Sequence, residues 1–283
     1  MRPYVMARTP ERPGTAPDAS APTAARRSGT GRSMPLGAVG VVALLCAWEL
    51  VARLVWRDAQ VLPSPAQSLA AAWTHLGARE LLAHVATSLA RIAGGFALAA
   101  VAGILLGIAS GWYPVLARIV RPIVDLLRPI PPLAWIPMAI VWFGLGEASK
   151  WFVIFLGAFF PIYTNAWRGM TSIPAPILRA ARTMDVDGTE LLLRVAIPAA
   201  LPDIATGLRI GFGLAFGILV AAELIAADSG MGYLVMQSRE LGQLGVAIFG
   251  VLLIGVVSLI ADRFLDAALR RVGGGARRHD GSA

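Results

Sequence analysis

ILRAARTMDVDGTELLLRVAIPAALP, residues 177–202, decides how the rest of the chain is read. It carries Arg179, Arg182, Asp185, Asp187, Glu190 and Arg194, yet long apolar stretches stand on both sides of it. A charged side chain at the centre of a membrane helix costs about 2.5–3.5 kcal/mol on insertion scales, so hydrocarbon does not keep six of them. The segment therefore lies in water while its flanks cross a bilayer. It is long enough for two short helices broken at Asp187-Gly188, and such a structured loop invites a soluble partner to dock.

Composition agrees. The 283 residues are 57% hydrophobic and 15% charged, with a mean hydropathy of +0.67. Soluble domains average about 25% charged residues, so the chain falls in the membrane class and membrane lipid is its solvent. The net charge of +8 comes from basic residues spread between apolar stretches rather than gathered on one face. Topology explains that spread, and no nucleic-acid partner is expected. The single cysteine, Cys46, cannot form an internal disulfide, and His75, His84 and His279 lack ligand-like spacing, so no metal site is expected. The one lysine, Lys150, follows Ser149 and not glycine, which leaves the chain without a phosphate-binding loop. No cofactor is expected in this chain, and any nucleotide hydrolysis must come from another.

Residues 1–33 have no apolar period and read as a disordered tail, residues 34–271 as the membrane domain, and 272–283 as a flexible C-terminal tail. A span needs about 20 mostly apolar residues. Six stretches are read as spans, at roughly 36–55, 92–111, 132–146, 151–167, 204–226 and 246–264, the third short and preceded by an amphipathic stretch from Val115 to Leu127. In the first, Glu49 and Arg53 stand in the favourable order for a helical ion pair. With the N-terminus inside, 18 basic residues fall on inner segments and six on outer ones, Arg209 left aside. That bias puts both termini and the loop 168–202 in the cytoplasm of a multi-pass inner (plasma) membrane protein.

Gly95, Ala99, Gly103, Gly107 and Gly111 form a column of small residues down the second span, which suits close packing within the molecule. Gly207, Gly211 and Ala215 repeat it in the fifth, beside Gly213, Gly217 and Ala221, and there a subunit interface stays open as well. RPIPPLAWIPMAIVWFGLGEASK, residues 128–150, cannot pass as one regular helix through its four prolines. Non-helical backbone at membrane depth persists only against protein or water. Pro131, Pro132, Trp135, Trp142 and Phe143 are thus either path-lining or a kinked helix with interfacial tryptophans. Arg209 and Glu223 are the ionisable residues of the fifth span. They are candidates to meet an anionic solute, or interface anchors, with Glu223 placed near the outer end where water reaches it.

The loop resembles the "EAA" loop of permease subunits of bacterial ABC importers. Ala180, Ala181, Val195, Ile197 and Pro198 fall on that family's pattern, while Arg179 stands where the glutamate is usual and Asp185 where the glycine is. LPSP (62–65), RPIPPLAWIPMAIVWFGLGEASK, FPIYTN, LPDIATGLRIGFG and AAELIAADSGMGYLV are similar to the nitrate/sulfonate/taurine branch, taurine-type permeases nearest, over about residues 60–270. The resemblance implies an all-α bundle of six transmembrane helices, the type I importer permease, paired as a homodimer. It also implies a cytoplasmic ATPase subunit that binds the ATP and an external solute-binding protein. Arg179, Ala180, Ala181, Asp185, Gly188, Ile197 and Pro198 would form the coupling loop, and the loss of the usual glycine would shift its turn to Asp187-Gly188. Such a chain performs no covalent chemistry and passes a small organic anion, a sulfonate or taurine, with nitrate or an aromatic or heterocyclic compound as the alternative cargo. Two other classes compete. A secondary transporter would show inverted repeats or mid-membrane acids. A membrane enzyme would show a converging cluster of His, Asp, Ser or Cys. Neither pattern stands out in the sequence.

Overall fold

The computed structural model describes residues 36–56 and 61–273, so the N-terminal tail 1–33 and the residues after 273 lie outside it. Among the described residues the chain divides between Ala43 and Leu44, and the packed core lies wholly after that division. Among the described residues every regular element is a helix. They are α1 (Leu36–Val51), α2 (Pro65–His75), α3 (Ala78–Trp112), α4 (Pro114–Leu127), α5 (Ile136–Phe143), α6 (Glu147–Thr171), α7 (Ala175–Thr183), α8 (Gly188–Leu191), α9 (Ile197–Ala226), α10 (Met231–Glu240) and α11 (Leu244–Gly273). By length and composition, three helical stretches among them can cross a membrane: Ala78–Trp112, the continuous Gly188–Ala226, and Leu244–Arg271. A fourth arises if α4 and the Pro132–Phe143 segment, bent by 87° at the intervening prolines, count as one.

The core is a three-helix sandwich with α6 in the middle, between α3 and α9. Small residues set it up. A Cβ added at Gly95 would lie 2.7 Å from Ile154 Cγ2, one at Gly103 2.8 Å from Ile162 Cγ2, and one at Gly111 would collide with Met170. These partners advance in step, so α3 and α6 run parallel. The column thus packs within the molecule. Gly207 and Gly211 press α9 onto Asn165 and Ile162 of α6 with the opposite sense, so α9 is antiparallel to both. Gly213 and Gly217 face open space instead. Where backbones touch this closely dispersion is gained without a hydrophobic drive, as association in lipid requires.

The proline-rich stretch breaks as its composition dictates. Pro132–Trp135 forms one 3-10 turn, after which α5 gives only eight helical residues before Gly144. The expected pair of Glu49 with Arg53 is made, at 2.6 Å.

Parallel α3 and α6 and antiparallel α9 give the sandwich two distinct ends. One carries the start of α6 and the end of α9. The other, about 37 Å away at about 1.5 Å per residue over the 25 residues of α6, carries α7 and α8.

Candidate functional site

At the α7–α8 end, α7 enters through Pro174 and Pro176 and stops in a Schellman turn. The Val186 N–H donates to the Ala181 carbonyl at 3.2 Å and the Asp185 N–H to the Arg182 carbonyl at 3.1 Å. Asp185 closes that turn with φ +58, in the left-handed region. The reversal therefore stays at the position that has glycine in the loop pattern this segment resembles, rather than shifting to Asp187-Gly188 as expected. Asp185 takes up a conformation that Asp tolerates better than most residues. A second left-handed residue, Gly188 (φ +58), opens α8, so two reversals flank Asp187. Nothing lies within 4 Å of a Cβ on Gly188, so the backbone alone selects glycine there.

Leu191 and Ala196 are buried, and Leu192 and Ile197 pack with Ala166, Met170, Ala200 and Ile204, which fastens the inner side of this appendage to α6 and α9. Its outer side is open. Arg179, Ala180, Asp185 and Gly188 are exposed, Ala181, Ile197 and Pro198 are half-buried, and the apolar side chains of Ile177, Met184 and Leu193 face outward. Arg194 pairs with Glu190 at 2.9 Å and Arg182 with Asp187 at 3.8 Å, so the charges stay mostly on the surface.

The opposite end holds a cluster that sequence reasoning does not assemble. Arg91 of α3 is 1% exposed and so is Glu223 of α9, and they pair at 2.9 Å. The Ser88 hydroxyl lies 2.7 and 2.9 Å from the two Glu223 oxygens, and the Gly232 N–H donates to the same carboxylate at 2.9 Å. Arg91 then turns its other edge to Glu147, the first residue of α6, donating from Nε at 2.8 Å and from Nη2 at 2.7 Å. It also donates to the Ser229 hydroxyl at 3.0 Å and to the Ser229 carbonyl. Four helices meet in these bonds.

Their common effect is to fix the start of α10. The Gly230 N–H donates to His84 Nδ1 at 3.0 Å and the Met231 N–H to Ser88 at 2.8 Å. With the Gly232 N–H on Glu223, three amides that a helix start leaves without partners are satisfied by side chains. A buried carboxylate also suits the positive end of a helix dipole. Gly230 has φ +114, and a Cβ there would collide with the Glu223 carboxylate. Glu223 is accordingly sealed in protein and not open to water, which corrects the expectation of solvent access. Glu147 differs: its side chain is 50% exposed, and its hydrogen bond from Arg91 holds its carboxyl below the usual range.

The remaining predicted residues separate. Trp135, Trp142 and Phe143 gather with Phe152, with centroids 5.3 to 6.5 Å apart, Trp142 and Phe143 largely exposed. Pro131 is exposed and Pro132 half-buried beside them. Arg209 stands elsewhere, paired with Asp266 of α11 at 2.6 Å in the half of α9 nearer α7 and α8. It is about 21 Å along the helix from Glu223, so the two ionisable residues of α9 make no common site. His84, Ser88 and Arg91 could have been found: they recur at i, i+4 and i+7 on one face of an otherwise apolar helix. No group of His, Cys, Asp and Glu among the described residues could hold a metal ion.

Residues 81–274 match the family described as binding-protein-dependent transport system inner membrane component. The chain belongs to that family. It is a permease of the ABC importer type, in the group whose members are named for taurine, sulfonate and nitrate transport. The taurine transport system permease protein TauC of Escherichia coli is 37% identical over 246 residues, covering 85% of this chain and 90% of TauC. The nitrate import permease protein NrtB of Synechocystis sp. is 34% identical over 237 residues, covering 81% of this chain and 85% of NrtB. A chain from the inward-facing MetNI methionine ABC transporter shares the fold, with a TM-score of 0.54 at 22% identity over 67% of this permease and 96% of that chain. In the permease, GLGEASK supplies Glu147 and AAELIAADSGMGYLV supplies Glu223, Ser229, Gly230 and Gly232 to the cluster that His84, Ser88 and Arg91 of α3 complete.

Proposed function

We propose that this permease forms the translocation path of an importer for a small organic anion, a sulfonate such as taurine, and is moved by a separate ATPase docked on α7 and α8. The observation that carries the reading is the appendage itself: a compact two-helix projection whose inner side is anchored on α6 and α9 and whose outer side offers unpartnered Ile177, Met184 and Leu193. A docking partner covers such a surface, and a rigid joint to two core helices passes its motion on. In this reading α1, α3, the α4–α5 pair, α6, α9 and α11 make six spans, and both termini and the loop 168–202 face the cytoplasm. An external binding protein delivers cargo at the Arg91 end. A second copy of the permease completes the path, with the open Gly213 and Gly217 face of α9 available to it. ATP binding and the loaded binding protein then bias one two-state bundle between inward- and outward-open forms. No ATP is bound or cleaved by this chain.

The cargo reading rests on the relatives named for taurine and nitrate transport, whose solutes carry anionic oxygens. Nitrate is therefore the second reading. Reconstitution with the ATPase and the binding protein tests both: ATP-driven uptake of labelled taurine or an alkanesulfonate is expected, and uptake of nitrate alone would replace the first cargo with the second. Labelling of a cysteine placed at Asp185 from the outside only would overturn the orientation.

A further inference from the structure

We propose that the seat filled by the Glu147 carboxylate, between Arg91 and Lys150, is a transit site for a monovalent sulfonate-type oxyanion, with Glu147 as the internal anion that cargo displaces. The inference rests on the organic-anion reading above and gives it a place in the molecule. Three donors converge on this carboxylate. Arg91 Nε reaches Oε2 at 2.8 Å, Arg91 Nη2 reaches Oε1 at 2.7 Å, and Lys150 Nζ reaches the same Oε1 at 3.5 Å. Two oxygens serve three donors, and Lys150 is the one left at long range. Its other contact, the Leu145 carbonyl, is also long at 3.3 Å, although the residue is only 3% exposed. A sulfonate has three oxygens on a tetrahedral head and can meet all three donors at about 2.7–2.9 Å, the usual length for charge-assisted bonds.

Charge selects the class. With Glu147 in place, Arg91 and Lys150 are balanced by Glu147 and Glu223. With Glu147 turned into water one positive charge remains, which a monoanion neutralises and a dianion overfills. Asp228 lies 3.9 Å from Arg91 but is exposed, so solvent screens it. Glu147 is also the member free to leave. It is half-exposed on the first turn of α6 behind Gly144 and Gly146, whereas both Glu223 oxygens are bonded inside protein. The seat adjoins the broken span, because Lys150 lines a cavity of about 10 Å³ with Ile136 and Ala139 of that span and Ala222 of α9. A tethered carboxylate competes at an effective concentration on the order of millimolar. That keeps the site weak, as a site on a path must be if the solute is to leave again.

The test uses the permease–ATPase assembly in lipid nanodiscs, without binding protein, titrated with methanesulfonate at fixed ionic strength and followed by the unfolding temperature. Glu147→Gln keeps the shape of the side chain and removes the competing charge. It should tighten methanesulfonate binding at least about tenfold and leave the seat holding methanesulfonate more tightly than sulfate, and adding Lys150→Met should erase that gain. Equal affinity for methanesulfonate in wild type and Glu147→Gln, or tighter binding of sulfate than of methanesulfonate by Glu147→Gln, overturns the site. If Glu147→Gln does not assemble, Lys150→Met alone must weaken methanesulfonate binding, and unaltered binding overturns the site. Uptake by the complete importer separates the two readings. Sulfonate uptake without the affinity gain refutes this site and spares the cargo; the gain without uptake refutes the cargo and spares the site.

Discussion

The two ends of α9 solve opposite problems. At Glu223 every polar atom has a protein partner, and four helices are tied through one carboxylate and one guanidinium. At the α7–α8 end the charges are exposed in loose pairs, and apolar side chains are left facing outward. The first end is finished within the chain and the second is not. A buried ion pair is expensive to desolvate and severe to break, so it specifies one arrangement; an exposed surface is cheap to present and waits for a partner.

The largest effect should come from breaking the finished end. Glu223→Ala leaves Arg91 buried beside an empty position and strips the acceptor from the Gly232 N–H. Removing one partner of a buried pair costs about 3–5 kcal/mol, enough to deplete folded protein from the membrane. Monodispersity and unfolding temperature of the purified variant read this directly. A variant as stable as wild type would mean the cluster does not hold the bundle together.

Next in size is a change at the unfinished end that leaves the fold alone. Ala181, half-buried on α7, leaves room for a partner to approach closely. Ala181→Glu should reduce ATPase co-purification and uptake by more than about tenfold, the equivalent of about 1.4 kcal/mol, with the unfolding temperature unchanged. Full activity in both assays would remove α7 from the docking surface.

Glu147 stands between these extremes. Its pairing with Arg91 lowers its folded pKa, so the stability it contributes is present above the ordinary glutamate pKa of about 4.3 and is lost as pH falls through the lower folded value. Wild type and Glu147→Gln should therefore differ in unfolding temperature at pH 7 and converge in strong acid. A difference that persists unchanged down to pH 3 would show that the carboxylate's charge is not what Arg91 holds.

What the sequence could say divides along the same line. The charged segment, the proline break and the glycine columns are local signals, legible because composition alone forces exposure, a kink or close packing. The Arg91 cluster is hidden because its members sit as far apart as Ser88 and Glu223, on helices that only the parallel and antiparallel packing brings together. Glu223 reads as water-facing because position along a span gives depth but not the neighbours. Asp185 misleads for another reason: a missing glycine suggests a missing turn, whereas the backbone keeps the turn and the side chain tolerates it.

Two small changes sharpen that last point. Gly188→Val meets no atom, so any effect must come from φ +58, where a β-branched residue is strained by about 1–2 kcal/mol. The loop should loosen, seen as faster amide exchange over 184–191, and transport should fall. Asp185→Gly runs the other way. It relieves the left-handed strain of an L-residue while leaving the Val186 N–H to Ala181 carbonyl bond in place. The gain should be below about 1 kcal/mol, because Asp already tolerates this region and glycine costs more backbone entropy on folding. Slower exchange at residues 184–187 with unchanged uptake is the expected result. Faster exchange there would show that the Asp185 side chain contributes more to the turn than its backbone conformation costs.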